Sequence, residues 1–132
     1  MTDHVVVLGA GYAGAGAIKR LEKRLGRDTD LTWVSETDYH LVLHESHRCI
    51  RDPSVESKIT IPIDEIKSDA TEFRKGHVTD VDVDERVVEL EHDEIEYDYL
   101  LLAIGSGTAF FGIEGLQEFS NELKSLDDAR AI

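Results

Sequence analysis

The chain has 132 residues, 14 of them basic and 28 acidic, for a net charge of −14. That length suits one domain with a modest core, and the charge argues against nucleic acid or an anionic membrane surface as partner. A single cysteine, Cys49, excludes an internal disulfide and points to a cytosolic chain.

The acids are spread along the chain with hydrophobic residues between them, as in Asp80-Val-Asp-Val-Asp84, so they read as the solvated surface of a folded protein. Such a surface suits a halophile's cytoplasm, where salt screens the self-repulsion. Apolar runs fall far short of the roughly 18 residues a membrane-spanning helix needs. The first strand begins almost at once, and we therefore expect neither a signal peptide nor a spanning segment.

The first stretch, His4 to Leu25, organises the rest. Val5-Val6-Val7-Leu8 is the continuous apolar run of a parallel strand buried on both faces. Gly9-Ala10-Gly11-Tyr12-Ala13-Gly14 follows, and then a helical pattern that puts Ala13, Ala17, Leu21 and Leu25 on one face. In this setting Gly9 permits a tight turn, Gly11 lets backbone N–H groups approach a pyrophosphate, and Gly14 lets the helix pack on the strand. A phosphate would rest on the helix N-terminus, where unpaired N–H groups and the dipole favour an anion. The alternative is a structural glycine turn of another α/β fold.

Lys19, Arg20, Lys23, Arg24 and Arg27 lie in and just after the second half of this helix, where dipole compensation explains them without a ligand. Gly26 is a plausible stop, and Leu31-Thr-Trp-Val34 reads as the second strand. A dinucleotide fold places a ribose-binding acid at the end of that strand. Ser35-Glu36 stands there: Glu36 can supply the carboxylate and Ser35 a shorter neutral substitute, the alternative being two ordinary loop residues. No arginine adjoins them in sequence, and nothing favours an NADP-type ligand.

Were Tyr39 to Ile50 helical, His40, His44 and His47 would share a face with Cys49 or Glu45 nearby, a candidate metal site. Imidazoles are common on polar helix faces and no second ligand cluster appears, so we expect no metal, and Cys49 reads as a packed core thiol. Thr60 to Ile66 resembles a helix start, with Pro62 early and Asp64 and Glu65 in the first turn.

Glu72 to Val78 is a third strand candidate. Period-2 alternation follows: Val81 and Val83 against Asp80, Asp82 and Asp84, then Val88 and Leu90 against Glu89 and Glu91, then Ile95 and Tyr97 against Glu94 and Glu96. With turns at Asp84-Glu85-Arg86 and His92-Asp93, this predicts an antiparallel meander with one wet, acidic face. Tyr99-Leu-Leu-Leu-Ala-Ile104 then predicts a second strand buried on both faces, returning beside the first. Gly105 and Gly107 after it allow backbone to approach the same ligand.

The expected fold is thus α/β, Rossmann-like, with a parallel central sheet and an inserted antiparallel β-meander. Two buried strands with glycine ends, separated by a meander, resemble the N-terminal FAD-binding segment of the two-dinucleotide-binding-domain flavoproteins, and among these the type II NADH dehydrogenases. The resemblance spans residues 1–132 and is carried by Val5 to Gly14, Asp38-Tyr39-His40, Leu43-His44-Glu45, Ile61-Pro62-Ile63, Tyr97 to Gly105 and Phe110-Phe-Gly-Ile-Glu-Gly115.

The resemblance implies FAD as cofactor and NADH and a quinone as substrates. It places Gly9, Gly11 and Gly14, with Tyr12 and Ala13, at the pyrophosphate, and Ser35-Glu36 at the adenosine ribose. Val78 would meet the adenine through its backbone, and Ala103, Ile104 and Gly105 the far side of the cofactor. No catalytic residue is assigned. Ser35 stands where the family usually has an acid, Ile104 in the middle of what is more often Ala-Thr-Gly, and Glu114 where proline is common.

Such enzymes carry a second GxGxxG domain for NADH, a later Gly-Asp motif and a C-terminal membrane-associating region. We therefore expect the NAD-binding and C-terminal regions to lie outside this sequence, the fragment alone to be inactive and to self-associate, and the whole protein to be cytoplasmic, with peripheral membrane attachment through the C-terminal region. The competing enzyme is a sulfide:quinone oxidoreductase, which needs redox cysteines that this segment does not show. Disulfide reductases are disfavoured because no CxxxxC pair follows the first helix. A non-enzymatic nucleotide-sensing module is the alternative of a different class, and it leaves the second glycine-ended strand unexplained.

Overall fold

The structure is a computed structural model that describes residues 2–26 and 28–132, so the expectation for Arg27 lies outside the described residues. In chain order the elements are β1 (Asp3–Leu8), α1 (Tyr12–Arg24), β2 (Thr29–Ser35), β3 (Tyr39–Leu41), α2 (His47–Arg51), α3 (Glu56–Ile59), β4 (Thr60–Pro62), α4 (Ile63–Ile66), β5 (Thr71–Lys75), β6 (Val78–Asp82), β7 (Val87–Leu90), β8 (Glu94–Glu96), β9 (Tyr99–Leu102), α5 (Leu116–Phe119) and α6 (Leu126–Ala131). Short 3-10 turns at Leu43–Glu45 and Pro53–Val55 flank α2.

The chain divides into two compact units, residues 1–40 with 62–104, and residues 41–61 with 105–132. The first is built on a four-stranded parallel sheet in the order β5-β2-β1-β9. β1 lies in its interior, and Val5 to Leu8 are buried on both faces as their apolar run requires. Alternation divides them between two cores. Val5 and Val7 join Ile18, Leu31, Trp33 and Ile63 on the α1 side, while Val6 and Leu8 join Val34, Val88 and Ile95 on the other. That second face is covered by the antiparallel sheet β6-β7-β8, giving three layers: helices, parallel sheet, meander.

Several elements differ from the sequence reading. The buried face of α1 runs through Gly14 and Ile18, with Leu21 and Leu25 beside them, while Ala13 is exposed. Gly14 lies inward because its missing side chain lets the helix close on the Gly9 carbonyl, 1.8 Å from where a Cβ would stand. Residues 39–50 do not form one helix but a strand, a 3-10 turn and a short helix, so His40, His44 and His47 do not share a helical face. No group of metal-ligating side chains forms among the described residues. Thr60 to Pro62 is extended, and the helix starts only at Ile63, with Asp64 and Glu65 in its first turn.

Two further differences concern strand ends and edges. β5 stops at Lys75, and Val78 opens β6 instead of closing the third strand. Val83 is past the end of β6 and exposed. β9 returns parallel beside β1 as expected, but it is the last strand of its sheet and is not buried on both faces: Tyr99 and Leu102 are each 61% exposed and Ile104 is 70% exposed.

The second unit is smaller and mostly helical. Cys49 is buried there as a free thiol, as are Leu126 and Ala129 of α6. Arg130 joins α6 to the first residue of α3 through an ion pair with Glu56 and reaches Asp127 at 2.8 Å. Ser125 and Asp128 close a capping box on the start of α6.

Candidate functional site at the carboxyl edge of the parallel sheet

β1, β2 and β9 run in register, with Leu8 beside Val34 and Leu102, so their carboxyl ends share one edge. The glycine loop, the Ser35-Glu36 corner and Ala103-Ile104 follow those three ends. Open α/β sheets bind ligands at this edge.

Each glycine has a separate geometric cause. Gly9 has φ +104°, a left-handed conformation, and a Cβ there would lie 2.1 Å from the Ala103 carbonyl oxygen. A Cβ on Gly14 would lie 1.8 Å from the Gly9 oxygen, so Gly14 lets α1 close on the turn. Gly11 is different: a Cβ there meets nothing within 4 Å. It is the N-cap of α1 in extended conformation and offers the helix no side chain.

The first turn of α1 also contains no acid, in a chain with 28 of them. The Ala15 N–H donates to Gly11 O at 3.0 Å, so the N–H groups of Ala13 and Gly14 stand ahead of the helix's own hydrogen-bond ladder. An uncapped helix start facing open space, with no carboxylate in its first turn, suits an anion. These features fit the diphosphate of a dinucleotide such as FAD.

Two side chains under the loop were not assigned to it from sequence. The buried Trp33 donates its Nε1–H to Gly9 O at 2.7 Å, and His40, only 7% exposed, bonds through Nδ1 to Ala10 O at 2.7 Å. The Tyr12 ring meets the His40 ring edge-on at 5.1 Å. A buried indole N–H needs an acceptor, which was the available signal for Trp33; His40 lay in a segment whose helical reading directed it toward a metal instead.

The second corner is more crowded than the sequence implied. The Gly76 N–H donates to Ser35 O at 2.9 Å, and His77 Nδ1 pairs with a Glu36 carboxylate oxygen. Val78 follows His77 and pairs with Leu90 at the start of β6. Lys75 is the register partner of Ser35 and reaches Asp38 at 3.2 Å, so a cation does stand beside the corner although no arginine adjoins it in sequence. Ser35 Oγ accepts the Thr37 N–H at 3.3 Å. Gly105, in the second unit, has φ +77°, and a Cβ on it would meet nothing within 4 Å.

The family model for pyridine nucleotide-disulphide oxidoreductases matches residues 3–132. The chain belongs to the pyridine nucleotide-disulphide oxidoreductase family. Within it, the chain is 32% identical over 130 residues to a type II NADH:quinone oxidoreductase of Staphylococcus haemolyticus, a match covering 97% of this chain and 32% of that protein. The Staphylococcus aureus counterpart is 28% identical over the same span. This chain thus spans about a third of the length of the curated relatives it matches.

Among solved structures, the chain superposes on NDH2 of Plasmodium falciparum, determined in complex with NADH, with a TM-score of 0.83 and 20% identity, covering 100% of this chain and 28% of that one. It also superposes on the sulfide:quinone oxidoreductase of Aquifex aeolicus with a TM-score of 0.79 and 26% identity, covering 97% and 30%. The pyridine nucleotide-disulphide oxidoreductase fold is therefore a Rossmann-type α/β fold here, with the meander in place of a second helical layer.

Proposed function

We propose that this chain is the FAD-binding part of an NADH:quinone oxidoreductase. The observation that carries the reading is Gly11: it caps an acid-free helix start at the sheet's carboxyl edge, and its missing side chain faces open space.

In this reading the loop from Gly9 to Gly14, with Tyr12 and Ala13, takes the pyrophosphate on backbone N–H groups. Ser35 and Glu36 take the adenosine ribose, Glu36 exchanging His77 for a ribose hydroxyl. Val78 meets the adenine through its backbone, and Ala103 and Ile104 approach from the far side. Bound FAD would supply the redox chemistry, accepting hydride from NADH and passing electrons to a quinone. The share of this chain is binding and orientation, and we assign it no proton-transferring residue. No helix among the described residues is long and apolar enough to cross a membrane. From the likeness to type II NADH:quinone oxidoreductases we infer a cytoplasmic protein held peripherally at the membrane.

Sulfide:quinone oxidoreductase is the second reading, favoured by Ser35 at the ribose corner. Against it, the one cysteine in the sequence, Cys49, is buried. The test is an absorption spectrum of the full-length protein, followed by anaerobic addition of NADH or sulfide. Bound yellow flavin bleached by NADH supports the proposal; bleaching by sulfide alone selects the second reading, and a protein that binds no flavin overturns both.

A further inference from the structure

We infer that His40 is a positioning residue for the anion-binding loop: its Nδ1–H holds the Ala10 carbonyl inward and thereby aims the Gly11 N–H at a diphosphate. The inference rests on the dinucleotide reading above and adds to it a side chain that touches no ligand.

A carbonyl oxygen only accepts, so the 2.7 Å bond from His40 Nδ1 to Ala10 O requires the proton on Nδ1. The trans peptide plane sets the C=O and the following N–H in opposite directions. Fixing the Ala10 oxygen therefore fixes the direction of the Gly11 N–H, which points away from His40 on the other side of that plane. Trp33 does the same for the preceding peptide by holding the Gly9 oxygen at 2.7 Å, and the Gly9 N–H is already committed to Val34 O at 2.8 Å. Two successive peptides are thus pinned by buried side chains from β2 and β3, and the conformation of Ala10 between them is set before a ligand arrives.

The location of His40 makes this its specific role. It is buried, its ring is packed edge-on against Tyr12, and it belongs to no metal-ligating group among the described residues. An asparagine at this position carries an N–H donor where Nδ1 now stands, whereas leucine fills similar space without one.

The test uses the full-length protein freed of nucleotide. ADP, FAD and adenosine binding are measured by calorimetry, and hydrogen exchange is followed by mass spectrometry over residues 9–14. His40→Leu is expected to weaken ADP and FAD about tenfold, the usual order for one lost buried hydrogen bond, while leaving adenosine unchanged and speeding exchange in the loop. His40→Asn is expected to restore binding and exchange to within about twofold of the parent.

Unchanged ADP affinity with unchanged exchange in His40→Leu overturns the inference. So does equal loss for adenosine and ADP, which would mark general damage to the fold, and so does an His40→Asn variant as impaired as His40→Leu. If the parent binds neither ADP nor FAD, the dinucleotide reading fails, and exchange over residues 9–14 still decides: faster exchange in His40→Leu alone supports loop holding by His40, and no difference overturns it.

Discussion

The Trp33 Nε1–H bonds the Gly9 carbonyl oxygen at 2.7 Å, and that oxygen is the atom a methyl group on Gly14 would strike at 1.8 Å. One carbonyl therefore serves both as the acceptor for a buried indole and as the surface on which α1 closes. Gly14→Ala must displace the helix or break the Trp33 bond. Overpacking typically costs about 1–3 kcal/mol, and a stranded indole N–H adds to it. Gly16, two residues on, has nothing within 4 Å of its Cβ position, and Gly16→Ala should gain about 0.5–1 kcal/mol from helix propensity. Urea denaturation of the two variants checks the contrast; equal midpoints would refute it.

Gly11→Val separates folding from binding. Its extended backbone and the open space at its Cβ position admit a β-branched residue, so the variant should fold, losing about 1 kcal/mol because valine is a poorer N-cap than glycine. The same side chain would occupy the room a pyrophosphate needs, and flavin retention in the full-length protein should be abolished. Normal flavin content in the folded variant would sink the pyrophosphate assignment.

The glycine loop was legible because its signal is local: strand, turn and helix lie within about 20 consecutive residues, and each glycine marks one of them. The supports of the site were not. Trp33 reaches Gly9 across 24 residues, His40 reaches Ala10 across 30, and His77 reaches Glu36 across 41. None of these follows from periodicity, which states which face a residue occupies and not which partner it meets. The same limit explains β9. A continuous apolar run predicts burial on both faces, but whether another strand or layer supplies that burial depends on the order β5-β2-β1-β9.

Acid should open α6 selectively. Asp128 accepts the Lys124 and Ser125 backbone N–H groups, each at 2.8 Å, and the bond from Lys124 leads in holding its carboxyl below the ordinary aspartate range. A depressed folded pKa means the stabilisation is present above the unfolded value of about 3.9 and is lost as pH falls through the folded value. Amide exchange over residues 124–131 should therefore accelerate below about pH 4, while Asp128→Asn should flatten that response. Identical acid profiles for the two proteins would contradict the assignment.

Salt should stabilise the chain. With a net charge of −14 and carboxylates such as Asp80, Asp82, Glu89, Glu94 and Glu96 exposed on the meander, self-repulsion is strong in dilute buffer. The Debye length falls from roughly 10 Å at 0.1 M to about 3 Å at 1 M, which removes most of that repulsion. The melting temperature should rise between dilute buffer and molar salt. A flat profile would count against halophilic adaptation.

The last expectation concerns the edge of the parallel sheet. β9 pairs with β1 on one side only, and among the described residues no strand pairs with its other side. Its backbone groups there form a ladder ready for a further strand, and Tyr99, Leu101 and Leu102 present apolar surface beside it. An exposed apolar edge strand without charge is a template for pairing with another chain. The 132-residue chain by itself should therefore self-associate, and two β9 strands related by a twofold axis would pair antiparallel and satisfy both edges. Leu102→Lys places a charge on that edge and should return the chain to a monomer, because burying the ammonium in a strand-to-strand contact is costly. Sedimentation velocity between about 5 and 100 μM protein reads the outcome directly: association in the parent and its loss in Leu102→Lys are expected at concentrations where Kd values of the micromolar class are resolved. A parent that stays monomeric across that range, or a lysine variant that associates equally, would show that β9 is not the contact.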